Sequence, residues 1–196
     1  MSTAIKPTAI KNAVVNTRSV TRRIADFARD RRGVSAVEFA LLLPMMMTLY
    51  LGSVETSQGI AANRKVTLAA HTLADLASQY TDITNADMSN ILAAGPAILA
   101  PFPTASIQEV VSEISINAQG VATVVWSDTL NGAALTVGQV VSVPSSLAVP
   151  NSSLVLSQVQ YNYSPIYGYV LTGSITLHDQ IFVRPRQSSS IARTAS

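Results

Sequence analysis

From Val34 to Val54 the chain runs through 21 residues whose one charge is Glu38. Wound as a helix at about 1.5 Å per residue, such a run is roughly 30 Å long, the depth of a bilayer's hydrocarbon core. The spacing therefore predicts a single membrane-crossing helix. Beyond Glu55 the helical period continues, with Val66, Ala69, Leu73, Leu76 and Tyr80 on one stripe three and four residues apart, so the helix is expected to run to about Gln79. That stripe needs a partner. Either the protein's own sheet or a neighbouring subunit would serve.

Thr84 to Asp87 has the S/T-x-x-D/E form of a helix start and leads into Met88, Ile91 and Leu92. Gly95-Pro96 predicts an interruption, and Pro101-Phe102-Pro103 the end. From there the period changes to two. Ile107, Val110, Val111, Ile114 and Ile116 lead through Asn117-Ala118-Gln119-Gly120 into the run 121–126, the pattern of a hairpin. Further strands are expected over 137–143, 153–163 and 174–183, separated by Asn131-Gly132, Pro144, Pro150-Asn151, Pro165 and Gly168. The fold class is α+β: an N-terminal transmembrane helix continues into a long helix packed on a small antiparallel β-sheet of four or five strands. Four regions follow, a basic arm or leader (1–33), the span (34–54), an exported α+β domain (55–188) and a flexible C-terminal tail (189–196).

Charge orients the span. The formal charge of +2 conceals an asymmetry, because residues 1–33 hold eight Lys or Arg against Asp26 and Asp30, leaving the remainder at −4. A basic arm serves nucleic-acid binding or membrane topology. This one abuts an apolar run and lacks interleaved aromatics, which favours topology. Arg22, Arg23, Arg29, Arg31 and Arg32 are the topology signal, holding the N-terminus in the cytoplasm and sending everything after Val54 outward. The arm itself reads as disordered or surface-associated, or as a basic amphipathic helix over 18–30 carrying Val20, Ile24 and Phe27. A cleaved secretory signal would have a shorter apolar core, no early carboxylate and a better exit than Gly52-Ser53-Val54-Glu55. Cysteine is absent, so neither a disulfide framework nor a thiolate metal site forms.

Within the apolar run, a carboxylate at Glu38 costs a few kcal/mol and marks a functional candidate, although it sits one turn from the interface. Pro44 removes a helix hydrogen bond and, with Gly52, permits bending. Both residues serve equally well as lipid-facing filler. Glu38, Pro44, Gly52 and Glu55 are the helix-contact candidates. Chemistry is sparse elsewhere. His71 and Asp75 lie one turn apart, a surface pair rather than a dyad, and His178 stands beside Asp179. There is no G-x-S-x-G, Gly-rich phosphate loop or H-E-x-x-H, so no enzyme, cofactor or metal is expected.

The block 31–44, Arg-Arg-Gly-Val-Ser-Ala-Val-Glu-Phe-Ala-Leu-Leu-Leu-Pro, with Gly52 and Glu55 after it, resembles the TadE/TadG-like proteins of the bacterial Tad (Flp pilus) machinery. Val124-Val125-Trp126-Ser127, the run 159–165 containing Tyr161, Tyr163 and Pro165, and Phe182-Val183-Arg184-Pro185-Arg186 resemble strand motifs of the exported part. The resemblance extends over about residues 29–188. It implies a bitopic inner-membrane protein with a periplasmic domain, a minor pilin-like or scaffold component whose partners are the membrane and other Tad machinery or pilin subunits, with no nucleic acid. Some family members are processed as pseudopilins by a prepilin peptidase, which would cut here between Gly33 and Val34 and use Glu38, with Phe39 following. The alternative is an uncleaved bitopic envelope protein whose periplasmic sheet binds another partner. Arg184-Pro185-Arg186 could meet an acidic partner or lipid head groups, or simply end a strand at proline.

Overall fold

The structure is a computed structural model, and it describes residues 26, 32–165, 168 and 173–194, with Arg32 described by its backbone alone. The topology-signal residues Arg22, Arg23, Arg29 and Arg31, like most of the basic arm, lie outside the described residues. The chain divides into two compact units, Met1–Met47 and Thr48–Ser196. Helix α1 (Arg32–Ser78) supplies the described structure of the first unit apart from residue 26, and then the opening element of the second. It ends one residue before the expected Gln79.

In the first unit the side chains of Val34, Val37, Phe39, Leu41, Leu42, Leu43, Met45 and Met46 are exposed. A helix apolar all round and uncovered by protein suits hydrocarbon as its solvent. By length and composition it can cross a membrane. Pro44 is accommodated inside the helix.

In the second unit the burial pattern of α1 changes. Ala62, Val66, Ala69, Ala70, Leu73, Ala74 and Ala77 are fully buried. The stripe's partner is the protein's own sheet, in one core with Ile107, Val111, Trp126, Val155, Val159, Tyr161 and Tyr163. Small alanines let the backbone approach closely, while Leu73 supplies bulk. Helix α2 (Asn85–Leu99) adds Met88, Ile91, Leu92 and Leu99 to the same layer. Its start is a full capping box: Asp87 N–H donates to the Thr84 hydroxyl oxygen, and Thr84 N–H donates to the Asp87 carboxylate. The Thr84 hydroxyl also donates to the Asp87 carboxylate at 2.6 Å, and that bond first, then the Thr84 N–H, holds the Asp87 carboxyl below its ordinary pKa. The expected interruption at Gly95-Pro96 is absent. Pro96 sits within the last turn, and the helix ends only at Leu99, where the Lys65 ammonium donates to Ile98 and Ala100 carbonyls at 2.8 and 2.6 Å.

The main sheet has the order β3-β2-β4-β5, formed by β2 (Ile107–Ile116), β3 (Ala122–Leu130), β4 (Ser152–Tyr163) and β5 (Ile175–Val183), with every neighbouring pair antiparallel. The β2–β3 hairpin closes where expected. The Asn117 side-chain oxygen accepts from Gln119 and Val121 N–H, and Gly120 takes φ +79°, a conformation that favours glycine.

Two expectations are corrected. The stretch 137–143 is no sheet strand: it makes one bridge, Val140 to Thr123, because Gly138 at φ +82° ends a turn just before it and Pro144 stops it after. Instead Leu135, Val141, Val143 and Leu147 cover a second apolar cluster on the other sheet face, around Ile114, Ile116, Leu154 and Leu156. Nor is 189–196 a flexible tail over its described part. Ile191 is buried, and β6 (Ala192–Arg193) pairs in parallel with β1 (Asp82–Ile83). Arg193 fixes this closure through both Asp128 carboxylate oxygens, at 2.8 and 3.2 Å, and through the Asn85 side chain.

Candidate functional site

The membrane-facing candidates lie in the first unit. Gly33 occupies the first turn of α1, and a side chain built there would meet nothing within 4 Å. Val34 and Phe39 are exposed, and so is Glu38. Nothing of the protein therefore covers the Gly33–Val34 peptide bond or the Glu38 carboxylate among the described residues. An apolar helix that offers one carboxylate a turn from its start has a polar handle for a partner inside the membrane.

Gly52 and Glu55 separate from that group. Gly52 is half-buried, whereas Glu55 is buried in the second unit near Tyr163. One turn on, Gly59 gives the Tyr163 ring its place, with Cε1 3.7 Å from where a Cβ would stand. Burial first, and then the negative charge of Glu55, push the Tyr163 hydroxyl above its ordinary pKa. Phe102 meets this ring edge-on, centroid to centroid 6.0 Å. Glu55 is thus buried in the second unit's α+β domain.

The strand motifs are likewise internal. The Trp126 indole N–H donates to the Ile191 carbonyl at 2.8 Å, tying β3 to the closing segment. Tyr161 is buried, and Pro165 lies in the connection after β4. In the Arg-Pro-Arg motif, Pro185 follows the end of β5. The Arg186 backbone N–H donates to the Ser78 carbonyl at 2.9 Å, and its guanidinium pairs with Asp75. That pair is half exposed and contributes little energy. Its position still decides what Asp75 faces, which is Arg186 rather than a dyad with His71. His178 and Asp179 occupy successive positions of β5 and so point to opposite faces, Asp179 accepting from the Thr67 hydroxyl of α1. Among the described residues no group of three His, Asp or Glu is arranged to hold a metal ion.

Sequence reasoning missed two acids. Glu109 and Glu113 are buried on the helix-facing side of β2. Glu113 accepts the Ile191 N–H at 2.9 Å; burial raises its pKa and that hydrogen bond opposes the rise. Among the described residues neither oxygen of Glu109 has a hydrogen-bond partner, and burial pushes its pKa up to about 8. Its carboxyl lies where a Cβ on Gly95 would be, 1.6 Å from Oε1, so the α2 glycine makes the space the acid occupies. Gly95→Ala should therefore destabilise the domain by about 1–3 kcal/mol. In the Glu109→Ala background the same change should cost clearly less, a coupling that denaturant unfolding of the four proteins measures. The signal was present in the sequence: Ile107, Glu109, Val111 and Glu113 share one phase of a two-residue alternation.

Residues 33–75 match the family model described as TadE-like protein. The matched residues begin at Gly33 and remain within α1, so the strand motifs lie outside them. No curated protein and no solved structure matches the chain. The match thus runs along a helix that is exposed and apolar in its first part and continues into a packed domain, and over that helix the chain is similar to TadE-like proteins.

Proposed function

We propose that the chain is a membrane-anchored minor pilin-like or scaffold component of Tad (Flp) pilus assembly. The observation that carries this reading is the TadE-like match over 33–75, coincident with a helix exposed and apolar in its first part and buried against a sheet in its second. The anchor lies in the inner membrane with the N-terminus cytoplasmic, in keeping with the basic arm, and the α+β domain occupies the periplasm. Deletion of the gene is the test: cells should lose Tad pili and regain them with the gene restored, and normal piliation after deletion would reject the role.

Within this role, the prepilin peptidase cuts between Gly33 and Val34. The open surroundings of Gly33 support access, and Glu38 lies where the mature chain's fifth residue would be. The new α-amino group of Val34, cationic at neutral pH, would then meet Glu38 of an adjacent subunit. Intact-mass measurement of membrane-purified protein reads the processing directly. A mature N-terminus at Val34 is expected, whereas a retained arm favours the uncleaved envelope anchor. Glu38→Gln should insert normally but reduce pilus number at least several-fold, counted by electron microscopy; unchanged piliation would remove Glu38 from assembly.

A further inference from the structure

The main sheet leaves an edge open. β4 covers one side of β5, and among the described residues no backbone pairs with the other side over its nine residues. Gln180 shows which groups face out: its N–H donates to the Asp179 carboxylate at 2.8 Å instead of to β4. Because strand groups alternate, those of Thr176, His178, Gln180 and Phe182 point away from the sheet. Natural edges of this length are usually blunted by Lys, Pro or a bulge. β5 contains neither residue, and its register with β4 is unbroken.

The opposite edge is completed by the short stretch after Gly138. Val124 N–H donates to the Gln139 carbonyl and Val141 N–H to the Ala122 carbonyl, both at 3.0 Å. Val140 stands between them, so its own N–H and C=O point outward, and its side chain is 66% exposed. The stretch 139–143 is β-branched and uncharged, yet makes a single bridge.

These edges match each other. β5 is antiparallel to β4, as β2 is, while 139–143 is antiparallel to β3, so both edges run in the direction of β2. Through Thr123 and Ser115, Val140 lies on the same side of the sheet as Glu113, the side on which Leu177 and Ile181 meet the core. A second copy placed beside the first in the same orientation therefore brings 139–143 against β5 in parallel, with helix-facing sides aligned. Parallel pairing joins an outward residue to the two outward neighbours of the residue opposite. With Val140 opposite Ile181, its N–H meets the Gln180 carbonyl and its C=O meets the Phe182 N–H. Val140 then packs beside an apolar residue, and the Asp179–Gln180 bond is left intact.

We infer that β5 of one copy accepts the 139–143 edge of a second copy, extending the sheet across a head-to-tail contact. Such a contact is heterologous and leaves one open edge at each end, so a third copy can add. Two outward residues make a weak contact in dilute solution, and a shared membrane raises the effective concentration that makes it count. The contact goes beyond the assembly role and requires no pilus, so either can fail without the other.

A cysteine-free chain makes the test clean. In the proposed register Gln139 lies opposite Gln180 on the outer face. Full-length protein carrying both Gln139→Cys and Gln180→Cys, reconstituted in vesicles, should give dimers and larger species with a short bismaleimide, at least several-fold more than either single variant. Adding Val140→Pro, which removes an N–H the domain does not use, should abolish them with the thermal unfolding midpoint unchanged. If proline lowers the midpoint, Val140→Asp replaces it, keeping the N–H but setting a charge beside Ile181. Products from Gln180→Cys alone as abundant as those of the double variant would show β5 meeting β5 and overturn the inference. So would the absence of products, or products indifferent to both Val140 changes.

Discussion

Glu109→Gln should leave stability little changed in its pH dependence below pH 4.5 but make the protein markedly more stable than the parent in alkaline solution. The parent acid has a folded-state pKa of about 8 against the ordinary 4.5, because burial without partners disfavours its charged form. Its folded state holds the proton more tightly than the unfolded state. The stabilising contribution is therefore fully present below 4.5 and is lost as pH rises to about 8. One pKa unit corresponds to 1.36 kcal/mol, so the parent should lose roughly 3 kcal/mol by pH 7 and about 5 kcal/mol above pH 8 relative to acid. Glutamine has no proton to lose and should flatten this limb. Denaturant unfolding in detergent at pH 5, 7 and 9 measures the difference, and parallel profiles for the two proteins would show that Glu109 does not titrate in this range.

Leu73→Ala should destabilise the domain by about 3 kcal/mol, within a range of roughly 2–5. Leu73 is fully buried at the centre of the α1–sheet core, among the largest side chains there. Removing its three outer carbons loses both their transfer energy and the contacts around the cavity left behind. Leu68→Ala is the internal comparison. That residue is 55% exposed on the same helix, and its loss should cost no more than about 0.5 kcal/mol. Equal effects in denaturant unfolding would mean that α1 packs with another face. The contrast matters functionally, because this stripe attaches the sheet to the element that carries the apolar run.

The apolar run, the α1 stripe and the Thr84–Asp87 cap were legible because each depends on residues close in sequence. The Asn117–Gly120 turn was legible for the same reason. What escaped depends on distant groups. The 137–143 stretch has strand composition, but Gly138 within it and Pro144 after it leave room for one bridge, and its Val141 and Val143 serve a cluster on the sheet's second face. Ile191 is a lone apolar residue in a serine-rich stretch, and distant groups, Trp126, Glu113, Asp128 and the β1 strand among them, make it and Arg193 part of the fold. Gly95-Pro96 looked like a break. The glycine instead provides space for Glu109, fourteen positions away in the chain, and α2 continues through the proline to Leu99. Of the site residues, Gly33 and Glu38 were readable as an exposed pair on an apolar helix. Glu55, Trp126, Tyr161, Tyr163 and Arg186, singled out in the sequence as contact and motif positions, take part in the packing of the α+β domain.

The central proposal is that α1 begins as a membrane span, with the basic arm retained and the α+β domain exported. Single cysteines in the cysteine-free chain read this without background. Gln119→Cys, in the β2–β3 turn, and Thr17→Cys, in the arm, should be compared in cells lacking the prepilin peptidase, where the arm is retained, using a membrane-impermeant maleimide on spheroplasts before and after lysis. The account predicts that Gln119→Cys is labelled in intact spheroplasts and Thr17→Cys only after lysis. Labelling of Thr17→Cys in intact spheroplasts with Gln119→Cys protected, or protection of both until lysis, would contradict it.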